Sequence, residues 1–129
     1  ADTRSIMPKC NPFNGVTTCT GSATYTHLGL QLAKTNQAAY YAAAQMPNAQ
    51  YPADASTQFF NILVTDGDYT GFSTDAQVQN ELTAMYNAGI TTYVIGFGSG
   101  VDTPPIIAKL QNMADWGSGN MLDYFDANN

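Results

Sequence analysis

The sequence predicts a single α/β domain with a mainly parallel sheet, and three observations carry that expectation. Segments with helical signals alternate with segments with strand signals from residue 26 to residue 125. Two of the strand segments are runs of successive apolar or β-branched residues, the pattern of a strand covered on both faces. The connections are short, and alternation with short connections implies crossovers between parallel strands, with helices on the faces of the sheet. A chain of 129 residues suits one core and not two.

The opening twenty residues hold Pro8, Pro12, Gly15 and both cysteines without sustained periodicity, and read as a loop-rich lead-in over residues 1–23. From Thr26 to Gln45 the composition turns to Leu, Ala, Gln and Tyr. Leu28 and Leu32 lie one turn apart and Pro47 supplies a stop, so this segment is expected to be helical. The run "FFNILVT", Phe59 to Thr65, is short and rich in strand formers. Thr74 then offers an N-cap with Gln77 completing a capping box, and Val78, Leu82, Met85 and Tyr86 follow at helical spacing up to Gly89 as the C-terminal stop. "ITTYVIGF", Ile90 to Phe97, is the second strand. Asp102 or Thr103 caps a third helix with Pro104 in its first turn. Ile106, Ile107, Leu110 and Met113 form its apolar stripe, and Gly117 is expected to end it. Met121 to Phe125 is a weaker third strand.

Charge narrows the function. Ten acidic and four basic side chains leave a formal net charge of -6, and Arg4, Lys9, Lys34 and Lys109 are scattered. A nucleic-acid surface needs clustered cations to displace counterions from phosphates, so none is expected. No apolar run approaches the roughly 20 residues that cross a bilayer. Cys10 and Cys19 are separated by turn formers, and one histidine cannot complete tetrahedral zinc with them. A local disulfide between them is expected, with two free thiols as the alternative; a disulfide places the chain in a secreted, cell-surface or periplasmic setting.

The stretch "NILVTDGDYTG", Asn61 to Gly71, ends a strand on carboxylates. Ligands of parallel sheets bind at the carboxyl ends of the strands, so Asp66 is the first candidate for a site. Asp and Gly also favour turns with no ligand present. A calcium loop of the EF-hand type is a rival reading, since Asp66, Asp68, Thr70 and Gly71 fall at its first, third, fifth and sixth positions. Gln77 at the twelfth cannot supply the bidentate carboxylate, and a strand precedes the loop where a helix belongs. "GFGSG", Gly96 to Gly100, lacks the glycine spacing of a dinucleotide site. His27, the sole histidine, has no nucleophile elbow near it in sequence, and no paired acid and base groups stand out, so an enzyme is not expected.

"TYTHLGLQLA" (Thr24 to Ala33), "ILVTDG" (Ile62 to Gly67) and "AGITTYVIGFG" (Ala88 to Gly98) resemble, in order and spacing, the second half of a von Willebrand factor type A domain. The resemblance implies a Rossmann-like three-layer α/β/α fold, of which residues 24–129 would be the C-terminal part. It also implies a metal-ion-dependent adhesion site, with Thr24 of the Thr-x-Thr segment and Asp66 of the Thr-Asp-Gly segment as ligands. The family's Asp-x-Ser-x-Ser loop has no counterpart, because 23 residues before Thr24 leave no room for it and the elements that follow it. An incomplete fold is therefore expected, its missing strands supplied by other polypeptide. A hydroxyl and a carboxylate are hard donors suited to Mg2+, or to Mn2+ or Ca2+, with water completing the shell. A position left open on the ion would take an acidic side chain of a partner protein. The alternative is a structural component of a larger extracellular assembly that binds no metal.

Overall fold

The structure, a computed structural model, describes residues 25–46, 52–54, 56–98 and 100–128. Among these residues three helices and three strands alternate in the order α1 (Thr26–Ala44), β1 (Phe60–Thr65), α2 (Asp75–Asn87), β2 (Thr91–Gly96), α3 (Pro104–Ser118) and β3 (Phe125–Asp126). The strands form one all-parallel sheet in the order β1-β2-β3. Phe60 to Thr65 pair one for one with Thr91 to Gly96, and Ile95 and Gly96 pair with Phe125 and Asp126. The expected α/β fold with a parallel sheet is what the chain adopts. No helix among the described residues is long and apolar enough to cross a membrane.

Local chemistry explains most of the boundaries. Thr74 caps α2: its hydroxyl accepts the Gln77 amide at 3.2 Å while the Gln77 side chain accepts the Thr74 amide at 2.9 Å, the predicted capping box. Gly89, at φ 82°, turns the chain out of α2 where a side chain would be strained. Pro104 opens α3, whose first turn needs no amide donor from it. Thr103 is its N-cap by backbone geometry, but the Thr103 hydroxyl donates to the Gly100 carbonyl at 2.9 Å and caps nothing.

Gly117 does not end α3 as expected. The helix runs to Ser118, and Gly119, in the left-handed region at φ 66°, is the cap. Gly117 serves packing: a Cβ there would lie 2.7 Å from the Thr92 Cβ and 3.4 Å from its carbonyl oxygen, so its absence lets α3 close onto β2. The third strand is also shorter than predicted. Ser118 Oγ accepts the amides of Met121 at 3.1 Å and Leu122 at 3.0 Å, holding that segment to the end of α3 and leaving two residues for the sheet.

Leu30, Val78, Leu82, Met85, Val94, Leu110, Met113 and Ala114 form one buried cluster, with Leu63 packed against it. Leu28 and Leu32 stay exposed, and α1 instead buries Leu30 and Ala44. Ile107, expected in the stripe of α3, is exposed as well. All three helices contribute to this one cluster, on the side of the sheet to which Leu63, Thr92 and Val94 point. The opposite side presents Phe60, Ile62, Val64, Tyr93 and Phe125, all exposed, and no described element covers it. The described residues therefore build two layers of the three that the sequence implied. Right-handed crossovers stepping in one direction along a sheet carry their helices to the same face, and the order β1-β2-β3 never reverses.

Gly117→Ala should lower stability by about 1–3 kcal/mol through overpacking against Thr92, more than the about 1 kcal/mol gained in helix propensity. Denaturant unfolding followed by circular dichroism should show a lower midpoint at an unchanged slope.

Candidate functional site at the carboxyl ends of the strands

β1 delivers its last residue, Thr65, to the carboxyl edge of the sheet, and Asp66 follows in an exposed loop. Two features shape that loop. Gly67 has φ 80°, and a Cβ on it would stand 2.7 Å from Ile106 Cγ2 and 3.1 Å from Leu110 Cγ, so only glycine lets α3 approach this turn. The carboxylates then fold the backbone about themselves: Asp66 Oδ1 accepts the Asp68 amide at 3.2 Å, and Asp68 Oδ1 accepts the Thr70 amide at 3.0 Å. The Gly67 amide donates to Thr65 Oγ1 at 3.0 Å.

Tyr69 anchors the loop in the core. Its ring is 1% exposed, its hydroxyl donates to Asp75 Oδ1 at 2.7 Å, and Lys109 Nζ stands 4.6 Å from the ring centroid. Burial, with the hydrogen bond to the Asp75 carboxylate added, pushes the phenol well above its ordinary value and keeps it neutral. Lys109 Nζ also donates to Thr70 Oγ1 at 2.6 Å and lies 3.5 Å from Asp68 Oδ1. The hydrogen bonds from Thr70, helped by the Lys109 charge, hold the Asp68 carboxyl below the usual carboxylate range. Asp68 is thus engaged by Thr70 within the loop and by Lys109 of α3. Gln77, the twelfth position of the rival calcium loop, is committed to the cap of α2.

Concavities lie on both sides of this strand end. One, of about 430 Å3, is lined by Asp66, Asp68, Phe97, Gly98, Thr103 and Ile106 among others. Asn128 fixes one of its lining residues by exchanging two hydrogen bonds with the backbone of Gly98, at 3.3 and 3.0 Å. The other, of about 360 Å3, lies between α1 and β1, with Tyr25, Thr26, Leu30, Leu63, Val64 and Thr65 in its lining. The start of α1 and the end of β1 therefore share a cavity, and Asp66 is the next residue along the chain from it.

Thr24, Cys10 and Cys19 lie outside the described residues. Among the described residues no group of three or more His, Cys, Asp or Glu side chains is arranged to hold a metal ion. The donor chemistry at Asp66, an exposed carboxylate in a concave rim, suits a hard divalent ion. One contact had no local sequence signal. Ser73, just before α2, places its hydroxyl 2.8 Å from His27 Nδ1 and accepts the His27 amide at 3.4 Å. Tyr25, the N-cap residue of α1, offers no side-chain cap, so Ser73, 46 residues beyond His27, accepts the free His27 amide in its place. A second tie joins the same helices, where Glu81 accepts from Lys34 Nζ at 2.7 Å and from Gln31 Nε2 at 2.8 Å. No protein-family model, curated protein or solved structure matches this chain.

The hydrogen bond from Lys34 holds the Glu81 carboxyl below its ordinary value of 4.5. A carboxyl depressed in the folded state contributes stability above its unfolded value and loses it as pH falls through the folded one. Glu81→Gln should therefore cost about 0.5–1 kcal/mol at pH 7, a partly exposed pair being screened. The gap from the parent should narrow below about pH 4.5. Urea titrations at pH 7, 4.5 and 3 check both statements.

Proposed function

We propose that this chain is an extracytoplasmic protein-binding module of the von Willebrand factor type A kind. In this reading a divalent ion, Mg2+ or a close substitute, is held at the rim by Asp66 and Thr24, and an acidic side chain of a partner protein completes its coordination. The observation that carries the reading is the juxtaposition at the end of β1. Tyr25 and Thr26, which adjoin Thr24 in the chain, share a cavity with Val64 and Thr65, which lead into Asp66. Two chain-distant oxygen donors on neighbouring segments are what a bridging ion requires, and the carboxyl edge of a parallel sheet is where such ligands collect. The ion would supply a positive charge on which a carboxylate can seat; Asp66 would bind and orient it, with water in the remaining positions. The disulfide expected between Cys10 and Cys19, just ahead of Thr24 in the chain, would suit an extracytoplasmic setting.

The uncovered face of the sheet favours a second reading, a structural component of a larger assembly whose sheet is completed by other polypeptide without metal. A strand reading as covered on both sides, with one cover among the described residues, is the observation behind it.

Metal titration separates the two. Mn2+ added to the chain should bind with loss of the free-ion electron paramagnetic resonance signal and raise the melting temperature. Asp66→Ala should weaken binding at least about tenfold, while Asp68→Ala, which removes a carboxylate already engaged by Thr70 and Lys109, should leave it within about twofold. Absence of any Mn2+ effect at millimolar concentration would remove the adhesion reading and leave the assembly reading standing.

A further inference from the structure

The strand residues on the uncovered face form a continuous apolar surface. Phe60, Ile62 and Val64 of β1 alternate outward beside Tyr93 and Ile95 of β2 and Phe125 of β3. Phe60, Ile62, Tyr93, Ile95 and Phe125 line a shallow groove of about 370 Å3. The rings of Phe60 and Tyr93 meet edge to face at 6.1 Å, filling the corner where the two strands pair. Exposure runs from 37% at Tyr93 to 65% at Phe60, with Ile62, Val64 and Phe125 between. Five large side chains about half exposed present roughly 500 Å2, at the upper end of what a monomer leaves in water.

We infer that this face pairs with the same face of a second copy, forming a two-fold, sheet-on-sheet dimer. The inference rests on the second reading above, that polypeptide covers the face, and names that polypeptide. Area is the first argument. Two such patches, with the polar rim that surrounds any interface core, reach the about 1,200–2,000 Å2 of total burial that a stable complex needs. Charge is the second. With a net charge of -6 the molecule as a whole attracts cationic partners, yet β1 and β2 carry no carboxylate, and Asp126 of β3 alternates away from the exposed Phe125. A cationic partner would bury its charge here unpaired, whereas a second copy brings only neutral side chains to the centre. Sheets pack face to face about 10 Å apart with their strands inclined by roughly 30°, and a two-fold axis through the groove satisfies that geometry with one self-complementary patch.

Sedimentation equilibrium on the 129-residue chain, from about 1 to about 100 µM, tests the proposal. A monomer and dimer in exchange are expected, with Ile62→Lys and Val64→Lys each weakening the dimer about 100-fold. Both positions are exposed in the monomer, so far-UV circular dichroism of either variant should match the parent. Added salt should tighten the dimer by screening two acidic copies from each other. A dimer indifferent to both substitutions, or aggregates growing past two copies, would overturn the proposal. A monomer at every concentration would overturn it too. An apolar dye then tells the cases apart: binding lost in Ile62→Lys leaves the face for another polypeptide, and no binding at all removes the second reading as well.

Discussion

The parallel pairing of β1 with β2 is the constraint on which the rest of the structure depends. Six residues on each strand pair in unbroken register, and β2 and β3 are each reached by a helix that must return along the sheet. Because the strand order steps one way, the returning helices gather on one side and pack on one another as well as on the sheet. That single geometric fact builds the core, leaves the other side apolar and without a cover among the described residues, and brings the loops after β1 and β2 to the same edge. Core, docking face and candidate rim are three outcomes of one topology.

The rim is held in place by one local contact and by others that come from well away in the chain. Lys109 on α3 reaches the loop after β1, Tyr69 ties that loop to the first turn of α2, and Asn128 clips the loop after β2. On the other side Ser73 and Glu81 dock α1 onto α2, setting where the first residues of α1 stand. A site assembled on such supports is arranged before any ligand arrives, which lowers the ordering cost of binding.

Much of the fold was legible in the sequence because its signals are local. The Thr74 and Gln77 pair, Pro104 at the start of α3 and Gly89 after α2 act within one turn of the backbone, and the structure uses each as read. What escaped was set by distant partners. Gly117 has the look of a stop, but its role is to admit Thr92. The third strand lost residues to a serine hydroxyl at the end of the preceding helix. Leu28 and Leu32 are spaced for a buried stripe, yet α1 buries Leu30, which lies midway between them in the chain and on another side of the helix. The apolar run of β1 implied two covers, and composition cannot tell which chain provides the second. Of the candidate site, Asp66 was legible as the end of a strand, while Ser73 and Lys109 had no signal, since each acts only through residues about forty positions away.

The salt link of Lys109 to Asp68 has an electrostatic corollary for the edge of the sheet. Two neighbouring carboxylates would ordinarily compensate a divalent ion in full and leave nothing to attract an anion. Here the ammonium group has already cancelled one of them. A divalent ion seated against Asp66 would carry surplus positive charge into the mouth of the cavity, and a carboxylate arriving from outside would be drawn to it.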